Sequence, residues 1–583
     1  MKFRSVLVAN RGEIALRIMR TAKRMGLATV AVYSDADRNA PHVKAADSAV
    51  HIGGSSPKDS YLNIASILRA AGDAVHPGYG FLAENPDFAE AVQKTGRVWI
   101  GPPAAAIRAM GDKANAKLVA AKVGVPVLPT FEKDPEFPVM IKAVAGGGGR
   151  GIRVVVRRED LPVEMKRAQS EAEHSFGDSR VLLEKALRHP RHVEIQVFGD
   201  AHGNCIHLGE RDCSVQRRHQ KLVEESPSPA VGPELRARMG EAAVKVARAV
   251  GYVGAGTVEF LLEDGKFWFM EMNTRLQVEH PVTEAVTSLD LVEWQLRIAA
   301  GEALPVQQEG VRFTGHAIEV RLCAEDPARD FLPQAGTLAL WHPPAGVRVD
   351  HALESGTVIS PYYDSMIAKL IAHAPTRDKA RAQLAAALDE AVALGMPTNK
   401  AFLAAVLRDE DFSAGKATTD FLSRFEFKGE EPDLQTAAAL LAGDYGEWTG
   451  WSNNPAHGAR ARFNGEVIAF SASKKPALPH VVDGHTVHYS GFTLRNTLYD
   501  PPERKSAGAS DGRLVAPMNG RVVTVSGQAG EKVHAGTPLV VLEAMKMEHG
   551  LDLPFSVRIK AVHVAAGAQV GPGKLLVEFD PLG

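Results

Sequence analysis

Hydrophobic residues follow two different periods in the first hundred residues of the chain. An apolar run, Val6–Ala9, precedes a segment from Gly12 to Met25 whose apolar residues recur at helical spacing, and a second run, Ala28–Tyr33, follows. Gly26 stands where the helix would end. This order predicts a strand–helix–strand unit of a parallel sheet, and further α/β structure extends to an Ala/Leu-rich helical stretch near 377–409. The unit lacks a GxGxxG motif, which argues against a dinucleotide site.

The pattern changes to strand-like alternation after about residue 430. One short helix is predicted over Pro432–Gly443, and two later segments alternate around Asn464-Gly465 and Asp483-Gly484. Such dipeptides favour two-residue hairpin loops. We therefore expect a small β-rich domain over 446–500, followed by a polar linker with Pro and Gly over 501–512.

The C-terminal segment contains an internal repeat. Residues 522–542 align with residues 559–579 at a constant offset of 37. Two copies of one strand-rich unit predict a pseudo-twofold β-sandwich or flattened barrel. Lys546 follows the last strand of the first copy, so we expect it at the exposed tip of the connection between the copies. It is either an ordinary surface lysine between two methionines or a lysine that is presented to another molecule.

Composition and charge exclude several classes of protein. The 583 residues are enough for about four domains. The formal net charge of -2 creates no global field for nucleic acid or an anionic membrane, so any anion site must be local. Three cysteines without CxxC spacing argue against a disulfide framework and a zinc site. Because there is neither a signal-peptide core nor an apolar run of about 20 residues, we expect a soluble cytoplasmic protein.

A glycine-rich segment, Ala145–Gly151, lies between two strand-like segments. Glycines let backbone N–H groups approach phosphate oxygens, so the segment suits a flap over a nucleotide, although a plain flexible linker fits the same residues. Lys142, just upstream, supplies a point charge for a phosphate. The segment is not a Walker loop, because no Gly-Lys-Ser/Thr opens a helix.

Two carboxylates flank a predicted hairpin turn at Asp264-Gly265. A two-residue loop would place Glu259 and Glu271 on different faces of the hairpin. A three-residue loop with a left-handed Gly265 would instead pair Leu262 with Lys266 and bring both carboxylates to one face as diagonal neighbours. We expect the second arrangement.

The face that carries these carboxylates predicts a cation site. Like charges on one face repel each other unless a hard cation lies between them, and two carboxylates with the Asn273 oxygen suit Mg²⁺ that bridges substrate phosphates. Alternation at period two extends this face through Arg275, Gln277 and Glu279. A solvated sheet face with salt bridges is the alternative.

A dense polar and basic patch runs from Glu210 to Lys221. It is either an exposed basic loop or part of an anion site. Cys213 within it is expected to be a packing residue, because the pattern supplies no base and orienting group to activate a thiol.

Motifs along most of the chain resemble those of one family, the biotin-dependent acyl-CoA carboxylases. Residues 1 to about 445 are similar to biotin carboxylase of the ATP-grasp superfamily, and the duplicated unit resembles the biotin carboxyl carrier domain. The matching stretches are VANRGEIA, HPGYGFLAEN, MGDK, GGGGRG, RHVEIQV, ERDCSVQRRHQK, EMNTRLQVEHPVTE, PYYDSMIAKL and EAMKMEH. AMKMEH and the β-rich middle segment favour an α subunit of the 3-methylcrotonyl-CoA or geranyl-CoA type.

The resemblance implies a multidomain α/β fold. It comprises an ATP-grasp biotin carboxylase with a Rossmann-like N-terminal domain, a small β-rich middle domain and a C-terminal flattened β-barrel of the biotinyl/lipoyl kind. The expected boundaries are 1–111 for the N-terminal α/β domain, 112–320 for the ATP-grasp domain with its glycine-rich lid, 321–445 for the carboxylase C-terminal domain, 446–500 for a subunit-docking domain, 501–512 for the linker and 513–583 for the carrier domain.

The resemblance also implies roles for individual residues. The implied ATP contacts are Lys113, Lys142, Gly146, Gly147, Gly148, Gly149, Glu184, Lys185, Leu187, His192, Gln216 and His219. Glu259, Glu271 and Asn273 would hold Mg²⁺ or Mn²⁺. Bicarbonate would contact Lys221, Arg275, Gln277 and the backbone of Val278. In the catalytic group, Glu279 would deprotonate bicarbonate and Arg321 would stabilise the biotin anion, while Lys546 would carry biotin as an amide.

The implied activity is ATP- and bicarbonate-dependent carboxylation of biotin on the chain's own C-terminal domain. A separate carboxyltransferase β subunit would pass the carboxyl group to 3-methylcrotonyl-CoA or a related branched acyl-CoA, with acetyl-CoA or propionyl-CoA as the alternative. The other implied partner is a biotin protein ligase, which would read the methionines beside Lys546, and neither nucleic acid nor a membrane is expected. We expect a hetero-oligomer of α and β subunits.

Two other functions compete with this one. The first is a non-biotin ATP-grasp ligase with a lipoyl-like domain. The second is a carrier scaffold with a degenerate ATP site. Four intact residues argue against it: Lys142, Glu259, Glu271 and Arg275.

The chain departs from the family pattern at three places. The segment Val127–Pro138 is short, which alters the approach to the lid, and Ala145 replaces a frequent glycine, which would stiffen the lid. The middle domain is abbreviated, so a plain spacer is the alternative to a docking domain.

Overall fold

The computed structural model describes residues 2–131, 134–144, 153–176, 178–429, 431–444, 459–464, 466–470, 477–497, 512–544 and 547–582. Three features of the sequence lie outside the described residues: the glycine-rich lid with Gly146–Gly149, most of the linker, and the pair Met545 and Lys546. Among the described helices, none has both the length and the apolar character needed to cross a membrane.

The N-terminal part is a five-stranded sheet with the strand order β3-β2-β1-β4-β5. Strand β1 pairs in parallel with β2 and with β4, which confirms the predicted strand–helix–strand unit. Ile14, Ile18 and Ala22 of the connecting helix are buried, as their helical spacing predicts. The elements are β1 (Ser5–Val8), α1 (Gly12–Arg24), β2 (Ala28–Ser34), α2 (Pro41–Ala45), β3 (Ser48–Gly53), α3 (Ile64–Leu68), β4 (Ala74–His76), α4 (Pro86–Lys94), β5 (Val98–Trp99) and α5 (Ala104–Gly111).

The central part contains a small four-stranded sheet, β6-β9-β7-β8, and most of an eight-stranded sheet. The small sheet carries Lys142 and flanks the lid, and the large sheet carries the hairpin with the paired carboxylates. The elements are α6 (Lys113–Lys122), β6 (Thr130–Phe131), β7 (Val139–Ala143), β8 (Arg153–Val155), α7 (Leu161–Phe176), β9 (Val181–Lys185), β10 (Arg191–Gly199), β11 (Cys205–Arg217), β12 (Gln220–Ser226), α8 (Pro233–Ala249), β13 (Gly254–Glu263), β14 (Lys266–Asn273), α9 (His280–Thr287) and α10 (Leu291–Ala299).

The large sheet continues into the next part of the chain, since its strand order is β14-β13-β10-β11-β12-β15-β22-β20. The elements that follow are β15 (His316–Cys323), β16 (Glu325–Asp326), β17 (Leu332–Pro333), β18 (Gly336–Leu338), β19 (Leu340–His342), β20 (Arg348–His351), β21 (Thr357–Ile359), β22 (Met366–Ala374), α11 (Arg377–Glu390), β23 (Val392–Leu394), α12 (Lys400–Arg408), α13 (Glu410–Ser413) and α14 (Phe421–Arg424).

The predicted helical stretch near 377–409 is wrong as one continuous element. Helices α11 and α12 are separated by strand β23, which pairs with β19. Gly395 after the strand has a φ of +117°, and Pro397 lacks a backbone donor, so the intervening segment cannot continue a helix.

The small β-rich part has both predicted hairpins. In them β24 pairs with β25 up to Phe463 opposite Glu466, and β26 pairs with β27 up to Asp483 opposite Thr486. Helix α15 shares its hydrophobic core, so we propose that this helix belongs with the small domain although the predicted boundary lies at 445. The elements are α15 (Leu434–Asp444), β24 (Ala459–Phe463), β25 (Glu466–Phe470), β26 (His480–Asp483), β27 (Thr486–Tyr489) and β28 (Phe492–Arg495).

The C-terminal part consists of two four-stranded sheets whose strands correspond to each other through the internal sequence repeat. Their strand orders are β29-β36-β34-β31 and β33-β32-β30-β35. Strands β30 and β34 begin at residues 520 and 557, and β31 and β35 begin at 532 and 569, so both pairs keep the offset of 37. This confirms the predicted pseudo-twofold barrel. The elements are β29 (Arg513–Val515), β30 (Gly520–Val525), β31 (Lys532–Val533), β32 (Val540–Ala544), β33 (Met547–Leu551), β34 (Val557–Val562), β35 (Gln569–Val570) and β36 (Leu575–Pro581).

Candidate active site

The hairpin β13–β14 brings the two predicted metal-binding carboxylates together by a different route from the predicted one. Its turn has two residues, Asp264 and Gly265, with φ of 49° and 71°, and Glu263 pairs with Lys266. The predicted three-residue loop and its diagonal pairing are therefore wrong. Asp-Gly adopts positive φ at both central positions of a tight hairpin turn, which a three-residue loop does not need.

A β-bulge restores the common face that the tight turn would have removed. The pairing runs regularly to Phe260 opposite Phe269 and then shifts, so that Glu259 lies directly opposite Glu271. The extra residue, Met270, is accommodated on β14. The two carboxylates are therefore direct cross-strand neighbours.

The donor set at this place fits a hard divalent cation. Asn273 lies on the same strand two residues beyond Glu271, and its Nδ2 donates to Glu259 Oε1 at 2.7 Å. The Lys113 ammonium is 3.5 Å from Glu271 Oε2. Two opposed carboxylates and an amide oxygen are ligands that Mg²⁺ prefers.

The chain leaves the strand after Asn273, so the predicted alternation fails from Thr274 onward. The next polar side chains nevertheless point to the same site. Arg275 Nη1 donates to Gln277 Oε1 at 2.8 Å, and Gln277 Nε2 donates to Glu259 Oε1 at 3.3 Å. Arg275 is also held by Glu84, which accepts from Nε at 2.9 Å. Contacts among neighbouring side chains, not strand periodicity, keep these groups together.

Lys221 is the centre of the buried charge cluster. It lies on β12 after a tight turn in which Arg218 and His219 have φ of 47° and 64°. Its Nζ donates to Glu194 at 2.6 Å, Glu259 at 2.9 Å and Glu279 at 2.7 Å.

The surrounding carboxylates keep Lys221 charged. Burial alone would lower the pKa of Lys221, but Glu194, Glu259 and Glu279 hold it well above its usual value. The ammonium is therefore protonated throughout the neutral pH range, and it neutralises carboxylates that would otherwise repel one another.

Arg321 on β15 holds the other side of Glu279. Its Nη2 donates to Glu279 Oε2 at 2.9 Å, and its Nε donates to Glu224 Oε1 at 2.6 Å. Burial would raise the pKa of Glu279, but Lys221 and Arg321 outweigh it and hold the pKa well below its usual value. Glu279 is therefore an ionised carboxylate between two cations.

A second charged cluster, formed by lysines around one carboxylate, lies beside the small sheet. Lys142 on β7 is 2.6 Å from the Oε2 atom of the buried Glu184 on β9, and Lys117 contacts the other oxygen of the same carboxylate. Burial and the neighbouring lysines lower the pKa of Lys142 to about 8 and that of Lys117 to about 7. One carboxylate thus lies between two lysines, and an anion such as a phosphate would be attracted to their protonated forms and would favour protonation.

Two of the predicted ATP contacts are histidines. His192 Nε2 lies 2.8 Å from Glu259 Oε2, and burial would lower its pKa, but Glu259 raises it above the usual value. Burial lowers the pKa of His219, and the nearby Lys142 and His192 act in the same direction. The charges of the lysine cluster therefore act on His219, and its role as an ATP contact stays a prediction.

The remaining predicted residues are placed as follows. Gln216 lies opposite Lys221 in the register of β11 and β12. Lys185 points outward, with Nζ 3.5 Å from Glu136, and Leu187 is partly buried beyond the end of β9. Gly146–Gly149 and Lys546 lie outside the described residues.

The structure adds residues that the sequence patterns missed. Lys117 follows Lys113 by four residues on α6, a spacing that places two side chains on one face of a helix and could have indicated it. Glu194 gave no such signal, because it faces Glu259 across two strands far apart in sequence. Lys369 donates to the Val278 carbonyl at 2.7 Å and so fixes the backbone beside Glu279.

Cys213 lies inside the cluster but is fully buried. Burial raises its pKa well above the ordinary value, so the thiol is not a ready nucleophile. This agrees with the predicted packing role.

Four family models match consecutive parts of the chain. They are "Biotin carboxylase, N-terminal domain" over residues 2–107, "Carbamoyl-phosphate synthase L chain, ATP binding domain" over 104–307, "Biotin carboxylase C-terminal domain" over 319–424 and "Biotin-requiring enzyme" over 512–579.

The chain is also similar to characterised proteins over nearly its whole length. The mitochondrial methylcrotonoyl-CoA carboxylase subunit alpha of Dictyostelium discoideum is 40% identical, with 96% of this chain and 93% of that protein covered. The propionyl-CoA carboxylase alpha chain of Ruegeria pomeroyi is 39% identical, with 99% and 100% covered. The crystal structure of the biotin carboxylase domain of Hydrogenobacter thermophilus 2-oxoglutarate carboxylase, in complex with MgADP, ADP and bicarbonate, superimposes with a TM-score of 0.71 at 46% identity, covering 74% of this chain and 100% of that one.

Proposed function

The chain belongs to the biotin-dependent carboxylases, and because it joins an ATP-grasp biotin carboxylase to a biotin carrier domain, we propose that it carboxylates the biotin on its own Lys546. The carboxyl group then passes to an acyl-CoA on a separate carboxyltransferase β subunit. The observation that carries this proposal is the buried Glu279 carboxylate between Lys221 and Arg321. Such a carboxylate can accept a proton when an incoming anion takes over its two cations.

Bicarbonate is the anion that fits this arrangement. Arg275 offers a planar guanidinium that matches a carboxylate-like ion, and Lys221 offers a compact positive charge. Once bicarbonate binds these cations, the forces that hold the pKa of Glu279 down are weakened. Glu279 then accepts the bicarbonate proton while a bicarbonate oxygen attacks the γ-phosphorus of ATP and ADP leaves.

The lysine cluster supports the nucleotide half of the reaction. Lys113, Lys117 and Lys142 converge near Glu184 and Glu271, where they would balance the charge of the ATP phosphates. Bound Mg²⁺ would be held by Glu259, Glu271 and Asn273 and would supply further positive charge to the transferring phosphoryl group. Biotin on Lys546 would supply the ureido nitrogen that receives the carboxyl group.

Replacement of the proposed base tests this assignment. We expect Glu279→Gln to lower bicarbonate-dependent ADP release in the presence of biotin by at least about 100-fold, because a neutral amide cannot accept the proton. Nucleotide binding should persist, since Lys113, Lys117 and Lys142 are unchanged.

Glu234→Gln is the matched control, because Glu234 is exposed on α8. It should keep wild-type turnover. Unchanged ADP release in Glu279→Gln would contradict the assignment of Glu279 as the base. A streptavidin blot of the wild-type protein that stays negative after co-expression with a biotin protein ligase would contradict the assignment of a biotin carrier.

The acyl-CoA acceptor is proposed from the relatives. Similarity to methylcrotonoyl-CoA carboxylase subunit alpha favours 3-methylcrotonyl-CoA or a related branched acyl-CoA. Comparable similarity to a propionyl-CoA carboxylase alpha chain makes propionyl-CoA the second candidate. Co-purification of the β subunit and assays over a panel of acyl-CoAs would distinguish them.

The small β-rich domain is the proposed docking site for the β subunit. It exposes Val467 and Leu478, which are 45% and 41% accessible. The assembly would be a hetero-oligomer of α and β subunits. A cytoplasmic location remains a prediction, because several relatives are named as mitochondrial.

A further inference from the structure

The carrier domain faces one hairpin of the carboxylase across a shared cavity. This docking platform comprises residues 325–335, in which β16 pairs with β17 and the chain then turns into β18. A cavity of about 140 Å³ separates the platform from the carrier. The cavity is lined by Leu332 and Ala335 on the carboxylase and by Pro517–Asn519, Ala544 and Pro572 on the carrier.

The carrier approaches with the end that bears the predicted biotin site. Ala544, in the cavity wall, is the last residue before the pair Met545 and Lys546. His549, three residues beyond Lys546, lies near the platform as well. Burial lowers the pKa of His549, the charges of Arg218 and Arg217 lower it further, and Asp330 of the platform raises it.

The platform is joined directly to the active-site hairpin β11–β12. Arg217 donates to Glu325 Oε2 at 3.2 Å and stacks over the Phe331 ring at 4.1 Å. Arg218 donates to Asp330 Oδ2 at 2.6 Å. The same hairpin carries His219 and Lys221, so a carrier seated on the platform is held next to the site of chemistry.

The tether favours a carrier from the same chain. Fifteen peptide steps separate Thr497 from Gly512, which at full extension span about 50 Å. A domain tethered by a linker of this length reaches millimolar effective concentration, far above that of a carrier on another chain. Pro517, Ala335 and Pro572 stay exposed at the rim, which suits a contact that must form and break.

We propose that residues 325–335 are the docking surface for the carrier domain of the same chain during carboxylation, recognising the carrier end formed by Pro517–Asn519, Ala544 and Pro572. This inference rests on the proposed function. It adds which surfaces of the carboxylase and of the carrier meet, and it gives a test of the same-chain arrangement.

The pseudo-twofold carrier supplies a matched pair of variants. Pro572 and Ala535 are related by the offset of 37, both are exposed, and Pro572 alone lines the cavity. The test uses full-length, biotinylated protein whose biotin content is measured by streptavidin blot. Two rates are compared: transfer of label from [¹⁴C]bicarbonate to the carrier in a single turnover, and ADP release sustained by added free biotin.

Pro572→Glu should slow label transfer to the carrier at least fivefold and leave free-biotin-dependent ADP release unchanged. Ala535→Glu should change neither rate. Ala335→Glu should resemble Pro572→Glu, and the double variant Ala335→Glu/Pro572→Lys should recover much of the transfer. Normal transfer in both Pro572→Glu and Ala335→Glu would overturn the docking surface, as would an equal loss in Ala535→Glu.

Mixing two chains tests whether the carrier is served by its own carboxylase. Lys546→Arg supplies an active site without biotin, and Glu279→Gln supplies a biotinylated carrier without the base. At micromolar concentration, label should reach this carrier at least tenfold more slowly than it reaches the carrier of the intact chain. Equal rates would overturn the same-chain arrangement, whereas wild-type protein without free-biotin-dependent ADP release would overturn the proposed function itself.

Discussion

Lys221 binds three buried carboxylates of the candidate active site with one ammonium group. Its ammonium lies within hydrogen-bond distance of the Glu194, Glu259 and Glu279 carboxylates. Its charge helps to hold the pKa of Glu259 and of Glu279 below the usual value, whereas burial raises the pKa of Glu194. Removing one partner of a buried charge cluster costs about 3–5 kcal/mol, because the remaining charges are left without compensation. If Glu279 is the base, as we propose, the cluster keeps its carboxylate occupied until an anion competes for Lys221 and Arg321.

Lys117 is expected to act on nucleotide affinity. It shares Glu184 with Lys142, so its loss removes positive charge from the place where the ATP phosphates would bind. We expect Lys117→Met to raise the KM for ATP about five- to tenfold, roughly 1–1.4 kcal/mol, and to leave the KM for bicarbonate unchanged. Steady-state kinetics with each substrate varied in turn measure both values.

Lys117→Arg should lie nearer to wild type, because it keeps the charge. Lys122→Met, on the exposed end of the same helix, is the control and should not change the KM for ATP. An unchanged ATP KM in Lys117→Met would place the residue outside the nucleotide site.

His76 is expected to make the carboxylase sensitive to acid. It is fully buried at the end of β4, its Nδ1 accepts from the Gly78 amide at 3.0 Å, and burial lowers its pKa to about 4. Between pH 6.5 and 4 the unfolded chain binds a proton at this histidine that the folded chain does not. Stability therefore falls as pH falls through this window, by on the order of 3 kcal/mol in all.

His76→Gln should make this pH dependence shallower, because the amide does not titrate, while the buried His42 and His280 still do. Thermal unfolding at pH 7 and pH 4.5 would measure the difference in Tm between the two conditions. His342→Gln, at an exposed position of β19, should leave the difference as in wild type. An equally steep loss of Tm in His76→Gln would show that other groups carry the acid sensitivity.

At the scale of elements, two different features of the hairpin β13–β14 determine its turn and its carboxylate pair. Asp264 and Gly265 form the turn, and the bulge beside Glu259 aligns the carboxylates. Gly265 has a φ of 71°, with no atom within 4 Å of an added Cβ, so a side chain there meets backbone strain and no clash. We expect Gly265→Ala to cost about 1 kcal/mol and to lower the Tm by a few degrees. The KM for ATP should stay unchanged, because the bulge next to Glu259 fixes the carboxylate pair.

Gly310→Ala is the control for this substitution, since Gly310 is exposed, has no left-handed φ and would meet only an ordinary contact with Val306. It should leave the Tm within about a degree of wild type. A large rise in the ATP KM of Gly265→Ala would mean that the turn, and not the bulge, positions Glu259 and Glu271.

The elements also show how far the sequence alone could lead. The N-terminal strands, both small hairpins and the 37-residue repeat were predicted correctly, because local periodicity and turn dipeptides determine them. The bulge opposite Glu259 could not be predicted, since an extra residue in one strand depends on how the neighbouring strands pair. For the same reason Glu194 was missed: its contact with Lys221 joins strands β10 and β12, which are not even adjacent in the sheet.

At the scale of the whole molecule, a substitution of Lys546 is expected to abolish carboxylation of the carrier and to leave ADP release with free biotin intact. Replacement of Lys546 by arginine keeps the charge but prevents the amide link to biotin, so we expect Lys546→Arg to lose label transfer to the carrier and streptavidin binding. ADP release sustained by free biotin should persist, because Lys221, Arg275 and Glu279 lie in the carboxylase and not in the carrier. Lys532→Arg, an exposed lysine on β31, should keep both activities. Loss of free-biotin-dependent ADP release in Lys546→Arg would mean that the carrier is needed to complete the active site, and not merely to bring biotin to it.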